Sequence, residues 1–219
     1  MRSFVRREGR ITTAQERALT ELWHRYGCPD TNQPLDLGML FGRAAPRHLE
    51  IGCGNGDFIL DAAVAHPEND YLGIEVHRPG LGHLLHRASE CGVRNLRVLN
   101  LDAAEALARL LPAQAFECTY VFFPDPWPKK RHHKRRLLNP ERARLLRALL
   151  APHGRLFVAT DWDDYAQAIL EALATVPGLV NLAGAAVWSP RPHWRPVTRY
   201  ERRARRLNHA IRDLAYGCV

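Results

Sequence analysis

The amino-acid sequence predicts an α/β protein with a mostly parallel, doubly wound sheet and helices on both of its faces. Two observations support this fold class. From residue 47 onward, short apolar runs alternate with segments of helical periodicity, which is typical of parallel strands joined by crossover helices. The chain also has 219 residues, 46% of them hydrophobic, which is enough for the core of one domain. We therefore expect a single domain over residues 1–219, with an irregular basic segment at 1–45 and the α/β core at 46–219.

Five apolar runs have the length of strands and cover residues 48–51, 71–76, 96–99, 118–123 and 154–160. Six segments have helical periodicity and cover residues 57–66, 79–91, 103–111, 140–150, 163–174 and, as a basic C-terminal helix, 198–216. The helix near residue 140 has the clearest start. Asn139 is a cap residue, Pro140 takes the first helical position, and Glu141 puts an acid in the first turn. Turn residues at 28–34 indicate that the N-terminal segment is irregular.

Positive charge is concentrated in one part of the chain. The formal net charge is +8, which favours a polyanionic partner, although a basic surface without a partner gives the same number. Lys129, Lys130 and Lys134 are the only lysines, and they lie in an unbroken run of Lys, Arg and His at residues 129–136. Their concentration makes a polyanionic partner the stronger interpretation.

The cysteines and the apolar segments limit the class of protein. Five cysteines are scattered without a C-x-x-C pair, so we expect free thiols in a reducing cytoplasm, with no disulfide frame and no metal site. No apolar run has the length of a membrane span. Residues 1–15 contain arginines but no following apolar stretch, so they are not expected to form a secretory signal.

A glycine-rich loop follows the first predicted strand. Gly52, Gly54 and Gly56 form a G-x-G-x-G pattern that is preceded by Glu50, and such glycines let the backbone turn tightly and approach a ligand. A dinucleotide site requires a small residue at the sixth position of the pattern, where this chain has Asp57. An acid before the loop suits a cofactor without phosphate and with a cationic amino-acid end, such as S-adenosylmethionine (SAM). A glycine turn without a ligand remains the alternative.

Polar residues also follow the second and third predicted strands. Glu75 lies 23 positions after Gly52, close to the spacing at which an acid accepts the hydroxyls of a ribose. Asp102 and Ala103 form a short turn that can meet an adenine edge, and Asp102 also suits the N-cap of the next helix. Because ligands bind beyond the carboxyl ends of parallel strands, these residues are candidates for the same cofactor site.

After the fourth predicted strand, prolines flank Asp125 on both sides and stiffen the loop. Trp127 in the same loop is expected to offer a stacking face. The basic run that follows suits phosphate binding, although a solvated loop remains possible for it. An ordinary proline-rich turn is the alternative for Asp125.

Several of these motifs together resemble the tRNA (guanine-N7-)-methyltransferase family, bacterial single-chain type. The similar segments are residues 47–56, the highly specific PDPWPKKRHHKRRL from 124, the turn at 160–162, the RPVTRYE segment from 195, and SFVRREGRIT at 3–12. The resemblance covers nearly the whole chain. It implies a Rossmann-like class I methyltransferase fold, SAM as methyl donor, and guanine 46 of the tRNA variable loop as acceptor.

The resemblance also implies roles for individual residues. The cofactor side comprises Glu50, Gly52, Gly54, Gly56, Glu75, Asp102, Ala103 and Asp125, of which Asp125 is also catalytic. The substrate side comprises Lys129, Asp161, Thr198, Arg199, Tyr200 and Glu201. The basic run is expected to bind the RNA backbone through Arg131, His132, His133, Lys134, Arg135 and Arg136.

Some of these assignments have structural alternatives. Thr198 and Glu201 match the T-x-x-E capping box, so they are expected to cap the C-terminal helix as well as face the substrate. Asp161 also suits the N-cap of the helix after it. A methyltransferase of another RNA site and a non-catalytic RNA-binding protein are the alternative functions, and nothing in the sequence requires a protein partner.

Overall fold

The computed structural model describes residues 10–219, which divide into two compact units, one ending at Pro112 and the other comprising Ala113–Val219. Most of the N-terminal segment at 3–12 that resembles the family lies outside the described residues. Within the described part of the chain, no helix combines the length and the apolar content needed to span a bilayer. The prediction of one domain stays a prediction, and the two units are described separately.

The N-terminal segment is more regular than predicted. It forms helices α1 (Thr13–Glu21), α2 (Trp23–Tyr26) and α3 (Leu37–Phe41). Thr12 and Gln15 make a reciprocal capping box that starts α1. Ala18 and Leu19 of α1 pack into the apolar core of the unit, so tertiary packing stabilises a helix that composition alone does not indicate. The predicted turn region at 28–34 is irregular, as expected.

The first unit contains three parallel strands, β1 (Arg47–Ile51), β2 (Asp70–Ile74) and β3 (Leu96–Leu99), in the spatial order β3-β2-β1. Helices α4 (Ile59–Ala65) and α5 (Arg78–Glu90) connect them, and α6 (Ala103–Arg109) follows β3. All five residues of β2 are buried, as expected for a strand flanked by two others and covered by helices. These elements agree with the predicted ones to within a few residues.

The second unit contains β4 (Phe116–Phe122), α7 (Pro140–Leu149), β5 (Leu150–Thr160), α8 (Asp163–Ala174), β6 (Leu179–Asn181), α9 (Arg199–Arg206) and β7 (Arg212–Cys218). The strand order is β4-β5-β7-β6, with β4 and β5 parallel and β7 antiparallel to both of its neighbours. Asn139 caps α7 by accepting from the Arg142 N–H at 3.0 Å, which confirms the predicted helix start.

The C-terminal prediction was wrong beyond residue 206. Helix α9 ends at Arg206, Asn208 adopts a φ of 53°, and the chain continues as β7 instead of a helix to residue 216. Leu214 and Tyr216 are buried and pair in register with Val158 and Leu156 of β5. The gain from closing the sheet on β5 therefore outweighs the local helix preference. The three-residue β6 is too short to leave a periodic signal.

Candidate functional site

The glycine loop after β1 is shaped by its backbone. Gly52, Gly54 and Gly56 have φ values of 80°, 56° and 81°, a region that favours glycine. A Cβ atom on Gly52 or Gly54 would meet no other atom within 4 Å, whereas one on Gly56 would lie 2.3 Å from Leu84. The first two glycines therefore leave open space beside the backbone, and the third allows close packing against α5.

Glu75 fixes this loop to the end of β2. One carboxylate oxygen, Oε2, accepts from the Gly54 N–H at 2.7 Å, and the other, Oε1, accepts from the Val76 and His77 N–H groups at 2.8 Å each. An ionised carboxylate oxygen accepts about two hydrogen bonds. Oε2 is therefore the better acceptor for a further hydroxyl, and contact with both ribose hydroxyls stays a prediction.

Glu50 at the end of β1 has an unusual environment. Its residue is 5% exposed, and its Oε2 has no hydrogen-bond partner within the described chain. Burial, followed by the nearby charge of Glu75, raises the pKa of Glu50 to about 8. A buried carboxyl with an unpartnered oxygen beside open glycine backbone fits a ligand with a cationic end. An ionised Glu50 carboxylate is therefore suited to accept from the ammonium group at the amino-acid end of SAM.

The raised pKa of Glu50 predicts how stability depends on pH. The unfolded carboxyl titrates near 4.5 and the folded one near 8, so the folded state holds more protons between these values. The contribution of Glu50 is fully present below pH 4.5 and is lost as the pH rises towards 8, by up to about 1.4 kcal/mol per pH unit. We expect the free energy of unfolding of Glu50→Gln, relative to that of the wild type, to increase from pH 4.5 to 8. Above pH 8 the difference between the two proteins should stay constant.

Urea unfolding at a series of pH values from 5 to 9 measures this difference. Glu141→Gln, which alters an exposed carboxylate on α7, is the control and should show no such trend. A Glu50→Gln difference that is independent of pH would contradict the buried, protonated carboxyl.

The residues after β3 are also joined to this loop system. The Asn100 side chain donates to the Glu75 carbonyl at 2.8 Å. Asp102 accepts from the Ala104 N–H at 2.8 Å and caps α6, which confirms the expected cap. Ala103 takes the first position of α6, where backbone N–H groups lack partners inside the helix. Glu50, the glycine loop, Glu75 and Asp102 thus lie on successive strand ends of one unit.

A cavity of about 440 Å³ opens beside the end of β3. Its lining includes Leu99, Asn100, Leu101 and Arg78, and the loop at 28–32 forms one of its walls. Arg109 donates to the Asn32 side chain at 2.9 Å and holds that loop in place. The N-terminal segment therefore encloses space next to the predicted cofactor residues, a role that its irregular sequence did not indicate.

In the second unit, the loop after β4 turns sharply. Phe123 has a φ of 53° and donates its N–H to the Ala159 carbonyl at 2.7 Å, and Asp125 is exposed. Trp127, expected to offer a stacking face, is only 8% exposed, and the Arg135 guanidinium lies 4.9 Å from its ring centre. The indole therefore anchors the loop internally, and the expectation of an open stacking face was wrong.

Arg136 is the clearest correction within the basic run. It is 4% exposed, donates Nε to the Pro126 carbonyl at 2.9 Å, pairs with Asp164, and lies over the Tyr165 ring. These contacts occupy the guanidinium, so Arg136 does not bind phosphate as predicted but clamps the loop to α8. A run of like residues carries no sequence signal that separates its buried member from its exposed ones.

The rest of the run keeps its charge on the surface. Residues Lys130–Arg135 form a 3-10 helix, and the exposed cations are Lys129, Lys130, Arg131 and Lys134. His132 and His133 are half-buried. Slight desolvation, then the charges of Arg131 and Arg135, lower the pKa of His132, so His132 is neutral at pH 7 and adds no charge to the surface.

The predicted substrate residues near the end of the chain divide into exposed and buried groups. Arg199 and Tyr200 are exposed, with the Arg199 guanidinium 4.7 Å from the Tyr200 ring centre. The Tyr200 ring stacks on Phe123 at 6.3 Å, which brings the start of α9 to the base of the Asp125 loop. Asp161 is half-buried beside His209. It does not cap α8, whose N-cap residue is Trp162, so that alternative was wrong.

The Glu201 side chain, which was expected to face the substrate as well as cap the helix, lies in the protein interior. Thr198 is buried and caps α9 by accepting from the Glu201 N–H at 3.3 Å. The Glu201 side chain is completely buried, and three arginines donate to it: Arg191, Arg195 and Arg205. Burial raises its pKa, but these arginines outweigh burial and the pKa is lowered. Glu201 is therefore a buried anion of the protein interior, and its contact with the substrate stays a prediction.

Sequence reasoning gave Arg195 no role of its own, although the RPVTRYE segment begins with it. It is 1% exposed and bridges Glu201 to Asp213 of β7. In a chain whose positive charge is almost all arginine, one more arginine gives no signal. The T-x-x-E spacing singled out its partner Glu201, which was expected to cap the helix and to face the substrate.

Comparisons with known proteins identify the family that the chain resembles. The family model described as "Putative methyltransferase" matches residues 44–214. A protein of Alkalilimnicola ehrlichii named tRNA (guanine-N(7)-)-methyltransferase is 53% identical over 99% of this chain and 92% of its own length. A protein of Halorhodospira halophila with the same name is 49% identical over 98% of this chain and 94% of its own length.

Solved structures show the same fold. The 16S rRNA methyltransferase KamB matches with a TM-score of 0.63 at 16% identity, covering 89% of this chain and 98% of its own. A 16S rRNA (adenine(1408)-N(1))-methyltransferase of Catenulisporales acidiphilia, solved with SAM, matches with a TM-score of 0.58 at 19% identity, covering 87% and 93%. At these identities the likeness shows the fold alone, and it confirms the predicted Rossmann-like class I methyltransferase fold.

Proposed function

The chain belongs to the tRNA (guanine-N(7)-)-methyltransferase family, and from this membership we propose that it methylates N7 of guanine 46 in the variable loop of tRNA, with SAM as donor. The observation that carries the cofactor assignment is the buried Glu50 carboxyl, whose unpartnered oxygen lies at the glycine loop that Glu75 fixes. When bound, SAM supplies an electrophilic methyl group on a sulfonium centre.

The cofactor residues divide the work among them. Glu50, as a carboxylate, holds the cationic amino-acid end, so binding releases the proton that its raised pKa retains at pH 7. Gly52 and Gly54 let the backbone approach the cofactor. Glu75 offers Oε2 to the ribose, and the turn at Asp102 and Ala103 meets the adenine edge.

Asp125 is assigned as the catalytic residue. Guanine N7 is an acceptor lone pair with no proton to remove, so the attack needs no general base. The protein must hold N7 in line with the methyl group and offset the positive charge that develops on the ring. A carboxylate does both, because it accepts from guanine N1–H and N2–H₂ and stabilises the cationic ring. Adenine lacks this donor pair, so the same contact selects the base.

We assign fewer residues to the substrate than the sequence predicted. Lys129, Asp161, Arg199 and Tyr200 remain assigned to the target nucleotide, because each keeps exposed or half-buried polar atoms. Thr198 and Glu201 shape the start of α9 instead. Lys130, Arg131 and Lys134 are exposed and are assigned to the RNA backbone. We further propose that the chain acts as one domain, in the cytoplasm and without an obligatory protein partner.

Product mapping tests the function. The purified protein is incubated with labelled SAM and unmodified tRNA, and the product is treated with borohydride and aniline, which cleave RNA at N7-methylguanine. We expect label in the tRNA and cleavage in the variable loop. Labelled tRNA that resists cleavage would point to another RNA site. Tight tRNA binding without any transfer would instead support a non-catalytic RNA-binding protein.

A further inference from the structure

A buried network of opposite charges lies at the start of α9. The Arg195 guanidinium meets Asp213 with two N–H groups, Nε to Oδ1 at 3.0 Å and Nη2 to Oδ2 at 3.1 Å, and it reaches Glu201 Oε2 through Nη1. The side chains of Arg195 and Glu201 are 0% and 1% exposed. One planar cation thus bridges both carboxylates in a fixed orientation, while Arg191 and Arg205 donate to the other oxygen of Glu201.

The same guanidinium lies against the end of β4. Its Cζ atom is 5.8 Å from the Phe122 ring centre and 5.6 Å from that of Phe123. Phe123 is held further by its hydrogen bond to Ala159 and by stacking with Tyr200. Only Pro124 separates Phe123 from Asp125, so the position of Phe123 determines where the Asp125 loop begins.

Such a network is a weak source of stability, because burying charges costs solvation that well-packed apolar side chains would not lose. A fully satisfied polar network does, however, fix a single geometry. Phe123 also holds a φ of 53°, which is uncommon for a bulky residue and persists where the surroundings impose it. The Arg195–Glu201–Asp213 network therefore lies next to the residue whose uncommon backbone conformation the surroundings must impose.

We propose that Arg195 is a positioning residue for methyl transfer: it holds Phe123 and, through it, the Asp125 loop, and Glu201 acts through Arg195 and not on the RNA. This inference deepens the proposed function and rests on it. The guanidinium does not touch the reacting atoms. Its contribution is to keep the loop within the narrow range of positions that transfer requires, where a displacement of about 1 Å costs on the order of 100-fold in rate.

The test measures single-turnover methyl transfer at saturating SAM and tRNA. Arg195→Lys keeps the positive charge but loses the second N–H to Asp213 and the flat group over the rings. We expect its rate to fall by roughly 10- to 100-fold. Its SAM affinity should stay within about twofold of the wild type, because the residues assigned to the cofactor are unchanged. Arg205→Gln is the matched control: it breaks another ion pair of Glu201 but leaves Arg195 in place, and its rate should stay near the wild-type value.

A double-mutant cycle distinguishes two possible roles of Glu201: acting through Arg195, or contacting the substrate directly. If Glu201 acts through Arg195, Glu201→Gln should lower the rate in the wild type but by less than about twofold in the Arg195→Lys background. An undiminished effect of Glu201→Gln in that background would mean that Glu201 meets the substrate directly, and would overturn the proposal.

Phe123→Leu covers the case in which Arg195→Lys fails to fold, since it removes the ring without breaking the ion pairs. It should lower the rate while retaining SAM binding. Near-normal rates in both variants, or a loss of SAM binding that parallels the loss of rate, would also overturn the proposal. The assay measures methyl transfer to any nucleotide of the tRNA. If the methylated nucleotide is not guanine 46, the mapped product changes, but the comparison of rates between the variants and the wild type still holds. If the wild type transferred no methyl group to tRNA, the proposed function itself would be contradicted.

Discussion

Asp125→Asn is expected to lower the single-turnover rate of methyl transfer by roughly 10²- to 10³-fold while changing tRNA affinity little. The substitution keeps the size of the side chain and removes its negative charge. That charge matters most when the guanine ring becomes cationic, so the loss falls on the transition state. The Asn amide also presents donors to N1–H and N2–H₂, which are themselves donors, so base selection should weaken too.

Rapid-quench measurement at saturating SAM and tRNA separates this effect from binding. Asp163→Asn provides the control, because it removes an exposed carboxylate whose partner is Arg212 and such surface pairs contribute little. A near-normal rate for Asp125→Asn would reduce Asp125 to an ordinary residue of a proline-rich turn.

The second large effect concerns tRNA affinity. Replacing Lys130, Arg131 and Lys134 together by Ala should weaken binding of all tRNAs by on the order of 100-fold at about 0.1 M salt, because each phosphate contact releases counterions. The slope of log K against log[salt] should become shallower by about 2–3 for the three contacts. Turnover at saturating tRNA should be largely retained, since Asp125 is unchanged.

Arg136→Ala is the matched comparison, because it removes a cation of the same run that is buried and paired with Asp164. It should lower the free energy of unfolding and release the Pro126 carbonyl, with an unchanged salt slope. Fluorescence binding titrations at four salt concentrations give all the slopes. An unchanged slope in the triple variant would transfer the RNA contact to the exposed Arg202, Arg203 and Arg206 of α9.

Local signals in the sequence were sufficient for most of the fold. The alternation of apolar runs and helical segments located β1 to β5 and their helices, and the chemistry of Asn139 and Asp102 located two helix starts. These features depend on residues close together in the chain. Helix α1 and strand β7 were missed because each is stabilised by distant partners, α5 and β5 respectively.

The candidate site follows the same division. The sequence could predict that Glu50, Glu75 and Asp102 lie at neighbouring strand ends, because Glu50 is near the end of β1 and the other two come just after β2 and β3. Their roles at a cofactor stay predictions. Arg136, Glu201 and Arg195 were misassigned or missed because burial decides their roles. The sequence shows the type of a charged residue but not whether its side chain points into the protein or into solvent, and all three of these side chains point inward.

The 3-10 helix at Lys130–Arg135 has a consequence for how this segment tolerates change over evolution. Such a helix has about three residues per turn, so inserting or deleting one residue rotates every later side chain by about 120°. A neighbouring residue would then occupy the buried position of Arg136, and one of the cations that face solvent would no longer do so. Lys and Arg can exchange at the outer positions at small cost, because each presents one charge to solvent. The length of the segment is therefore expected to be held constant among relatives while its outer composition drifts.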